Sequence, residues 1–327
     1  MIKRKVQSEK RKVETQSLKL LVLSFSFALY AFSFASLACC RNEKLYTDKR
    51  VMMGTFVEVM SPSKKAAGIV FEEFARLENL LSKYRPDSEI SRLNLRGSLK
   101  VSTETFYILK KSKEFWEASN GAFDISVGVL VDLWGFTDKK YSRPSEEKIK
   151  QVLKLVGEDK IILQDNDNVV KFMFSGMKID LGAIAKGYAL DCAVKNLKEN
   201  NIKSCLINAG GQIYCLGEKF GKPWKIAINN PRRTEFVGNL ELKDKSVATS
   251  GDDQQYFIIG NKRYAHILDP KTGCPADTGI ASVTVVANDG LTADALATAI
   301  FVLGEEKGKA LADKFSGTEV KIITIKQ

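Results

Sequence analysis

Residues 264–300 read YAHILDPKTGCPADTGIASVTVVANDGLTADALATAI and hold the only histidine of the chain, His266. Tyr264–Leu268 is apolar enough for a short strand that would deliver His266 to a sheet edge. Asp269-Pro270-Lys271-Thr272-Gly273 is a turn signal: proline presets φ, glycine tolerates positive φ, and the aspartate can bond its own backbone. Ser282–Ala287 reads as a buried β run and Asn288-Asp289-Gly290 as a second turn. Thr292 then fits the N-cap of a helix running from about Ala293 to Leu303. On that helix Asp294 and Thr298 stand four residues apart, so a carboxylate and a hydroxyl share one face near the N-terminus. With water and phosphate oxygens completing the shell, that pair suits Mg²⁺, a hard ion that prefers oxygen. The pair is also open to a plainer reading, in which Asp294 answers the helix dipole and Thr298 bonds back to the Asp294 carbonyl.

The 327 residues suffice for one large domain or two ordinary ones, and 44% hydrophobic with 27% charged content is that of a folded soluble protein. The net charge is +11, of which residues 1–38, with seven Lys/Arg and two Glu, carry +5. The remaining excess is spread out and fits an anionic ligand or a negatively charged membrane surface. No basic helix, RNP-like run or zinc-finger spacing supports nucleic acid, which is excluded as a partner.

The first 40 residues have the pattern of an export segment. Lys3, Arg4, Lys5, Lys10, Arg11, Lys12 and Lys19 form a basic start, Leu20–Ala38 is an apolar run interrupted only by serines, and Ser36-Leu37-Ala38-Cys39-Cys40 follows. The junction is similar to a bacterial lipobox, although Ser36 stands three residues before Cys39, and Cys39 itself precedes Cys40. An uncleaved anchor helix and a cleaved soluble protein are the other two readings. All three place the chain from residue 41 outside the cytoplasm. Cys192, Cys205, Cys215 and Cys274 show no zinc spacing and read as buried thiols, with a disulfide permitted by export.

Residues 41–327 read as one compact α+β unit rather than regular βαβ alternation. Arg50–Met60 alternates like a strand. Helical patterning covers 64–81 and 103–118, and a short helix ends near Val156. YRPDSEISRLN, residues 84–94, is polar and turn-rich. Ile161–Leu163 and Val169–Phe174 suggest a hairpin. A helix is expected from about Ala183 to Lys198, and strands at 204–208, 212–216, 224–229, 238–242, 255–259 and 319–325. Asp180-Leu181-Gly182-Ala183-Ile184-Ala185-Lys186-Gly187 enters that helix, where backbone N–H groups favour a phosphate and Lys186 adds positive charge. It has neither P-loop spacing nor a dinucleotide fingerprint, and a glycine that merely packs a helix on a sheet explains it as well.

Met53-Gly54-Thr55, YRPDSEISRLN, GAFDISVGVLVDLWGF, DLGAIAKGYA, NAGGQIYCLG, ATSGDDQQYF, HILDPKTG and DALATAIFVLG occur in one order over residues 53–304. Together they resemble the ApbE family, the FAD:protein FMN transferases. The resemblance implies a single α+β unit with mixed or antiparallel sheet that holds FAD in a cleft. It also implies a Mg²⁺-dependent transfer of FMN from FAD to a threonine hydroxyl of an acceptor protein, releasing AMP. Family members are exported, often as lipoproteins.

Carried over, the family's FAD contacts fall on Met53, Tyr84, Ala122, Phe123, Asp124, Asp180, Lys186 and Leu268. Met53, Tyr84 and Phe123 would offer polarizable or aromatic surface to a ring, and Asp124 and Asp180 would accept from ribityl, ribose or adenine donors. The metal ligands fall on the Ala183 carbonyl, Asp294 and Thr298; some relatives carry another acid where Ala297 stands. His266 matches the family histidine near the reacting phosphate and would take or orient the proton with a pKa near working pH, with Asp269 as the alternative base.

Three functions compete. They are transfer to a membrane-associated respiratory subunit, hydrolysis of FAD to FMN and AMP at the same site, and flavin binding without chemistry. The basic start and cysteine-ended apolar run generate a first prediction, lipidation at Cys39 or Cys40. Replacing both with serine should release the protein from membranes or leave the signal uncut, and a mature mass without diacylglyceride on either would remove the lipoprotein reading.

Overall fold

The computed structural model describes residues 44–325; the basic start, the apolar run and the Cys39-Cys40 junction lie outside them. No helix among the described residues is long and apolar enough to cross a membrane. In chain order the elements begin with β1 (Tyr46–Met52), β2 (Thr55–Ser61), α1 (Ala66–Leu81), α2 (Glu89–Arg96), β3 (Ser98–Lys100) and α3 (Thr103–Ala118). Next come α4 (Gly128–Leu133), α5 (Glu146–Leu153), β4 (Ile161–Gln164), β5 (Val169–Phe172), α6 (Ala185–Glu199), β6 (Cys205–Ala209) and β7 (Gln212–Leu216). The chain continues through β8 (Trp224–Asn229), β9 (Phe236–Leu242), β10 (Lys245–Gly251), β11 (Tyr256–Ile259), β12 (Lys262–Ala265), β13 (Ile280–Ala287), α7 (Gly290–Leu303), α8 (Glu305–Ala312) and β14 (Glu319–Thr324).

Seven strands form the main sheet in the order β1-β2-β6-β7-β10-β13-β14, every neighbour antiparallel. Small antiparallel sheets, β3-β5-β4, β8-β9 and β11-β12, surround it, so the α+β expectation holds. Strand β13, between β10 and edge strand β14, is buried at all eight positions, in keeping with its mostly apolar and β-branched sequence. Cys205 packs in the main core and Cys215 in the smaller core on the other sheet face, so side-chain alternation separates the two thiols. All four described cysteines are free.

Several expectations change for local reasons. The single strand read at 50–60 is a hairpin, because Met53 and Gly54 take φ of 48° and 74°, the two-residue turn that matches strand twist. The turn-rich 84–94 stretch contains α2. Ser88 Oγ caps it by accepting from Ser91 N at 2.9 Å, and left-handed Gly97 ends it. Helix α7 starts at Gly290, and its cap is Asp289, whose Oδ1 accepts from Thr292 N at 2.7 Å; Thr292 is inside the first turn rather than the cap. Helix α6 starts two residues later than expected, leaving Ala183 in the preceding turn.

Helix α7 is buried almost all round, as a helix apolar on every face must be. Its alanines at 293, 295, 297 and 299 let it nest between β10 and β13 on one side and α6 on the other. Helices α6 and α7 meet backbone to backbone. A Cβ on Gly187 would stand 2.1 Å from the Gly290 carbonyl oxygen, and one on Gly290 would stand 2.4 Å from that of Gly187. Glycine is needed at both positions for close approach, since neither takes a left-handed backbone. Gly187→Ala should therefore force the helices apart and lower stability by roughly 2–4 kcal/mol. Urea unfolding checks this, and a change within ~0.5 kcal/mol would mean that the crossing is not so tight.

Candidate active site

The glycine contact sets the first part of the site. Asp294 lies one turn beyond Gly290 on α7, is 1% exposed, and its Oδ2 accepts from Gly187 N at 3.0 Å. In a regular helix Gly187 N would bond the carbonyl of Ala183, four residues back. Here it turns to Asp294, and among the described residues no donor takes the Ala183 oxygen. Lys186 Nζ donates to the Gly182 carbonyl at 2.7 Å and lies 4.0 Å from Asp294 Oδ2. Burial raises the Asp294 carboxyl above its usual range, against the pull of Lys186 and the Gly187 N–H. One turn further on, Thr298 Oγ1 is 3.2 Å from Ser250 Oγ at the end of β10.

Ala183, Asp294 and Thr298 thus offer a carbonyl, a carboxylate and a hydroxyl. An all-oxygen set around a buried carboxylate that burial penalises fits a hard divalent cation. The other acidic grouping, Glu73, Glu104 and Cys192, has its cation already. Arg76 reaches Glu73 Oε1 at 2.7 Å and Glu104 Oε2 at 2.6 Å, and Tyr188 Oη donates to Glu104 Oε1.

His266 follows β12, and its backbone N–H and Nδ1 both address the Gln255 carbonyl, at 3.0 and 3.1 Å. A carbonyl only accepts, so Nδ1 carries the proton and Nε2 keeps its lone pair. Gln255 is held in turn by its Nε2 donating to the Phe136 carbonyl at 3.3 Å, and the Phe136 ring stands edge-on 6.5 Å from the imidazole. Burial pushes the His266 pKa down to about 4; the Lys186 charge acts the same way, and the Gln255 carbonyl and Asp180 oppose it. The expectation of a pKa near working pH is corrected: His266 is neutral there.

Asp180 is not a free acceptor. Its Oδ2 pairs with Lys83 Nζ at 2.8 Å, and its Oδ1 takes the Gly182 N–H at 2.8 Å. Lys83 also donates to Thr137 Oγ1 and lies 5.1 Å from the centre of the Tyr84 ring. Burial opposes the Lys83 charge, but Asp180, with Asp132 behind it, holds its pKa above the ordinary lysine value. Tyr84 is 63% exposed, and Met53 sits at the β1–β2 turn.

Three expected contacts are corrected at the level of the side chain. Phe123 is fully buried against Phe115, with ring centres 5.9 Å apart, and has no face to offer a flavin. Asp124 accepts from Ser126 N, Ser126 Oγ and Glu158 N. Leu268 packs in a second core with Trp134 and Tyr264. Asp269 Oδ1 accepts from Lys271 N at 2.9 Å and Asp269 O from Gly273 N, so it shapes the turn. Reading the sequence alone missed Lys83, Ser250 and Gln255. Ser250 and Gln255 lie inside the ATSGDDQQYF motif, and Lys83 directly precedes Tyr84.

The ApbE family pattern matches residues 53–322. The chain belongs to the ApbE family. The FAD:protein FMN transferase of Haemophilus influenzae is 33% identical over 302 residues, covering 85% of this chain and 87% of its own. Its counterpart from Escherichia coli K12 is 32% identical, covering 83% and 82%. The solved ApbE protein of Thermotoga maritima superposes with a TM-score of 0.80 at 36% identity, over 86% of this chain and 94% of that one. The flavin transferase ApbE of Vibrio cholerae gives 0.76 at 30%, over 86% and 94%. This ApbE chain therefore has the family fold, and its eight motifs, over residues 53–304, all fall within the matched sequence.

A lone histidine makes the electrostatics directly measurable. Its imidazole NMR signals should titrate near pH 4 rather than 6.5. A histidine depressed in the folded state stabilises the fold above the unfolded pKa, and that contribution should fade as pH falls from about 6.5 to about 4. Lys186→Met should move the titration upward by removing one of its causes. A midpoint near 6.5 in the folded protein would mean that the ring is solvated.

Proposed function

We propose that this chain is a flavin transferase that moves the FMN part of FAD onto a threonine hydroxyl of an acceptor protein, with Mg²⁺ as its metal. We place it, as an exported and lipid-anchored protein, at the outer face of the cytoplasmic membrane, with a membrane-associated respiratory subunit as acceptor. The observation that carries the reading is the buried Asp294 carboxylate, which accepts from Gly187 N in the first turn of α6 and has Lys186 Nζ 4.0 Å away. Its relatives' names supply the reaction.

In that reaction the acceptor oxygen forms a bond to the phosphorus on the riboflavin side, and the bridging P–O bond of the pyrophosphate breaks, with AMP leaving. Mg²⁺ held by Asp294, Thr298 and the Ala183 carbonyl would supply charge neutralisation for the pyrophosphate. The first N–H groups of α6 and the Lys186 ammonium add positive potential on the same side. His266, neutral with Nδ1–H fixed on Gln255, presents an acceptor nitrogen for the threonine proton. Water in place of the threonine would give FAD hydrolysis with the same residues.

Incubation with FAD, Mg²⁺ and a threonine-bearing acceptor, followed by intact mass, separates the two: one added FMN on the acceptor against free FMN and AMP. Asp294→Asn keeps size but removes the only anionic ligand, and should cost on the order of 100-fold or more in transfer. Thr298→Val should cost less and be partly restored by raised Mg²⁺, since water replaces a hydroxyl ligand. His266→Ala should slow transfer with no rescue by metal. Near-normal transfer by Asp294→Asn with unchanged Mg²⁺ dependence would reduce Asp294 to a helix-terminus charge.

A further inference from the structure

Asp191 lies on α6, one turn beyond Gly187, and is half-buried. Its Oδ1 accepts from Gly290 N at 2.6 Å and its Oδ2 from Leu291 N at 2.9 Å. Asp294, one turn beyond Gly290 on α7, accepts from Gly187 N at 3.0 Å. The two helices therefore exchange carboxylates: each carries in its first turn a glycine pressed on the other's, and each sends an aspartate four residues later to the other's first turn. In sequence the exchange is a doubled spacing, Gly187-x-x-x-Asp191 and Gly290-x-x-x-Asp294.

We propose that Asp191 is the positioning residue of the metal site, holding the first turn of α7 in the rotation that aims Asp294 at the start of α6. The glycine contact fixes how near the helices come but resists rotation of α7 about its axis only weakly, because it involves no side chain. The two-oxygen grip of Asp191 on consecutive N–H groups supplies that constraint. Asp289 accepts from Thr292 N through its side chain and from Ala293 N through its carbonyl, both within α7's own terminus, and cannot orient one helix against the other. The sheet and α6 enclose the rest of α7, so losing Asp191 turns one end of a helix that stays folded.

This inference rests on the metal reading of Asp294, and the test separates the two. Mn²⁺ binding to the ligand-free protein is followed by EPR of the free ion, and melting temperature is followed in parallel. Wild type should bind Mn²⁺ and Asp294→Asn should lose it. Asp191→Asn keeps the size but turns an amide donor toward one of the two N–H groups, and should weaken Mn²⁺ about tenfold, as loss of an outer-shell partner does. Ser102→Ala removes the cap of α3, a bond from Thr105 N at 3.2 Å; it should lower the melting temperature and leave Mn²⁺ affinity unchanged. Should Asp191→Asn not fold, Asp191→Ser, which keeps one acceptor, takes its place. If Asp191→Asn or Asp191→Ser binds Mn²⁺ within about twofold of wild type while Asp294→Asn does not bind, the positioning role is overturned and the metal site stands. If Asp294→Asn binds as wild type does, the metal reading falls and this inference with it.

Discussion

The hydrogen bond from Gly187 N to Asp294 Oδ2 governs the rest of the site. It puts a carboxylate that is 1% exposed at the N-terminus of a helix, where the unpaired N–H groups favour negative charge. The same bond diverts Gly187 from the Ala183 carbonyl, which among the described residues has no donor. One contact thus prepares two oxygens. It is possible only because Gly187 and Gly290 bring the helix backbones together, and they can do so only because α7 carries alanine where it enters the core. Fold and site share one constraint.

Much of this was legible in the sequence. Asp294 and Thr298 at i, i+4 marked the face, and the β run before them marked the fully buried strand β13. The family resemblance named candidate site residues along the whole chain. What stayed hidden was which part of a residue works. Phe123, Asp124 and Leu268 sit in motif positions, yet their side chains serve the cores and the Glu158 loop. Linear order does not distinguish a backbone contact from a side-chain contact. Asp180 read as an acceptor because its partner Lys83 lies 97 residues earlier, and no local pattern links them. The glycine–aspartate spacing was written twice, but one aspartate matters through a helix 99 residues away.

Charges in the site alternate in a way that composition could not show. Lys83 pairs with Asp180, and Lys186 stands beside Asp294. His266 feels the Lys186 and Asp180 charges in opposite directions. The two lysines are not equivalent. Lys83 is locked by Asp180, Thr137 and burial, and its charge is spent on the protein. Lys186, held by a neutral carbonyl and 4.0 Å from Asp294, keeps charge to offer an anionic ligand.

The depressed pKa of His266 bears on what the ring can do. A general base works best with a pKa near the operating pH, and a group at about 4 falls well short of that. In phosphoryl transfer the transition state is loose, with little bonding to the nucleophile and little acidity developed at its proton. Early proton removal then contributes little, while alignment of the attacking hydroxyl contributes much. A neutral imidazole with Nδ1–H fixed on Gln255 is suited to that: it accepts one hydrogen bond in a set direction. In the transfer proposed above it would take the proton only after the P–O bond forms, when the oxygen has become strongly acidic. The burial that lowers the His266 pKa thus suits it, under that proposal, to guiding the hydroxyl rather than to early proton removal.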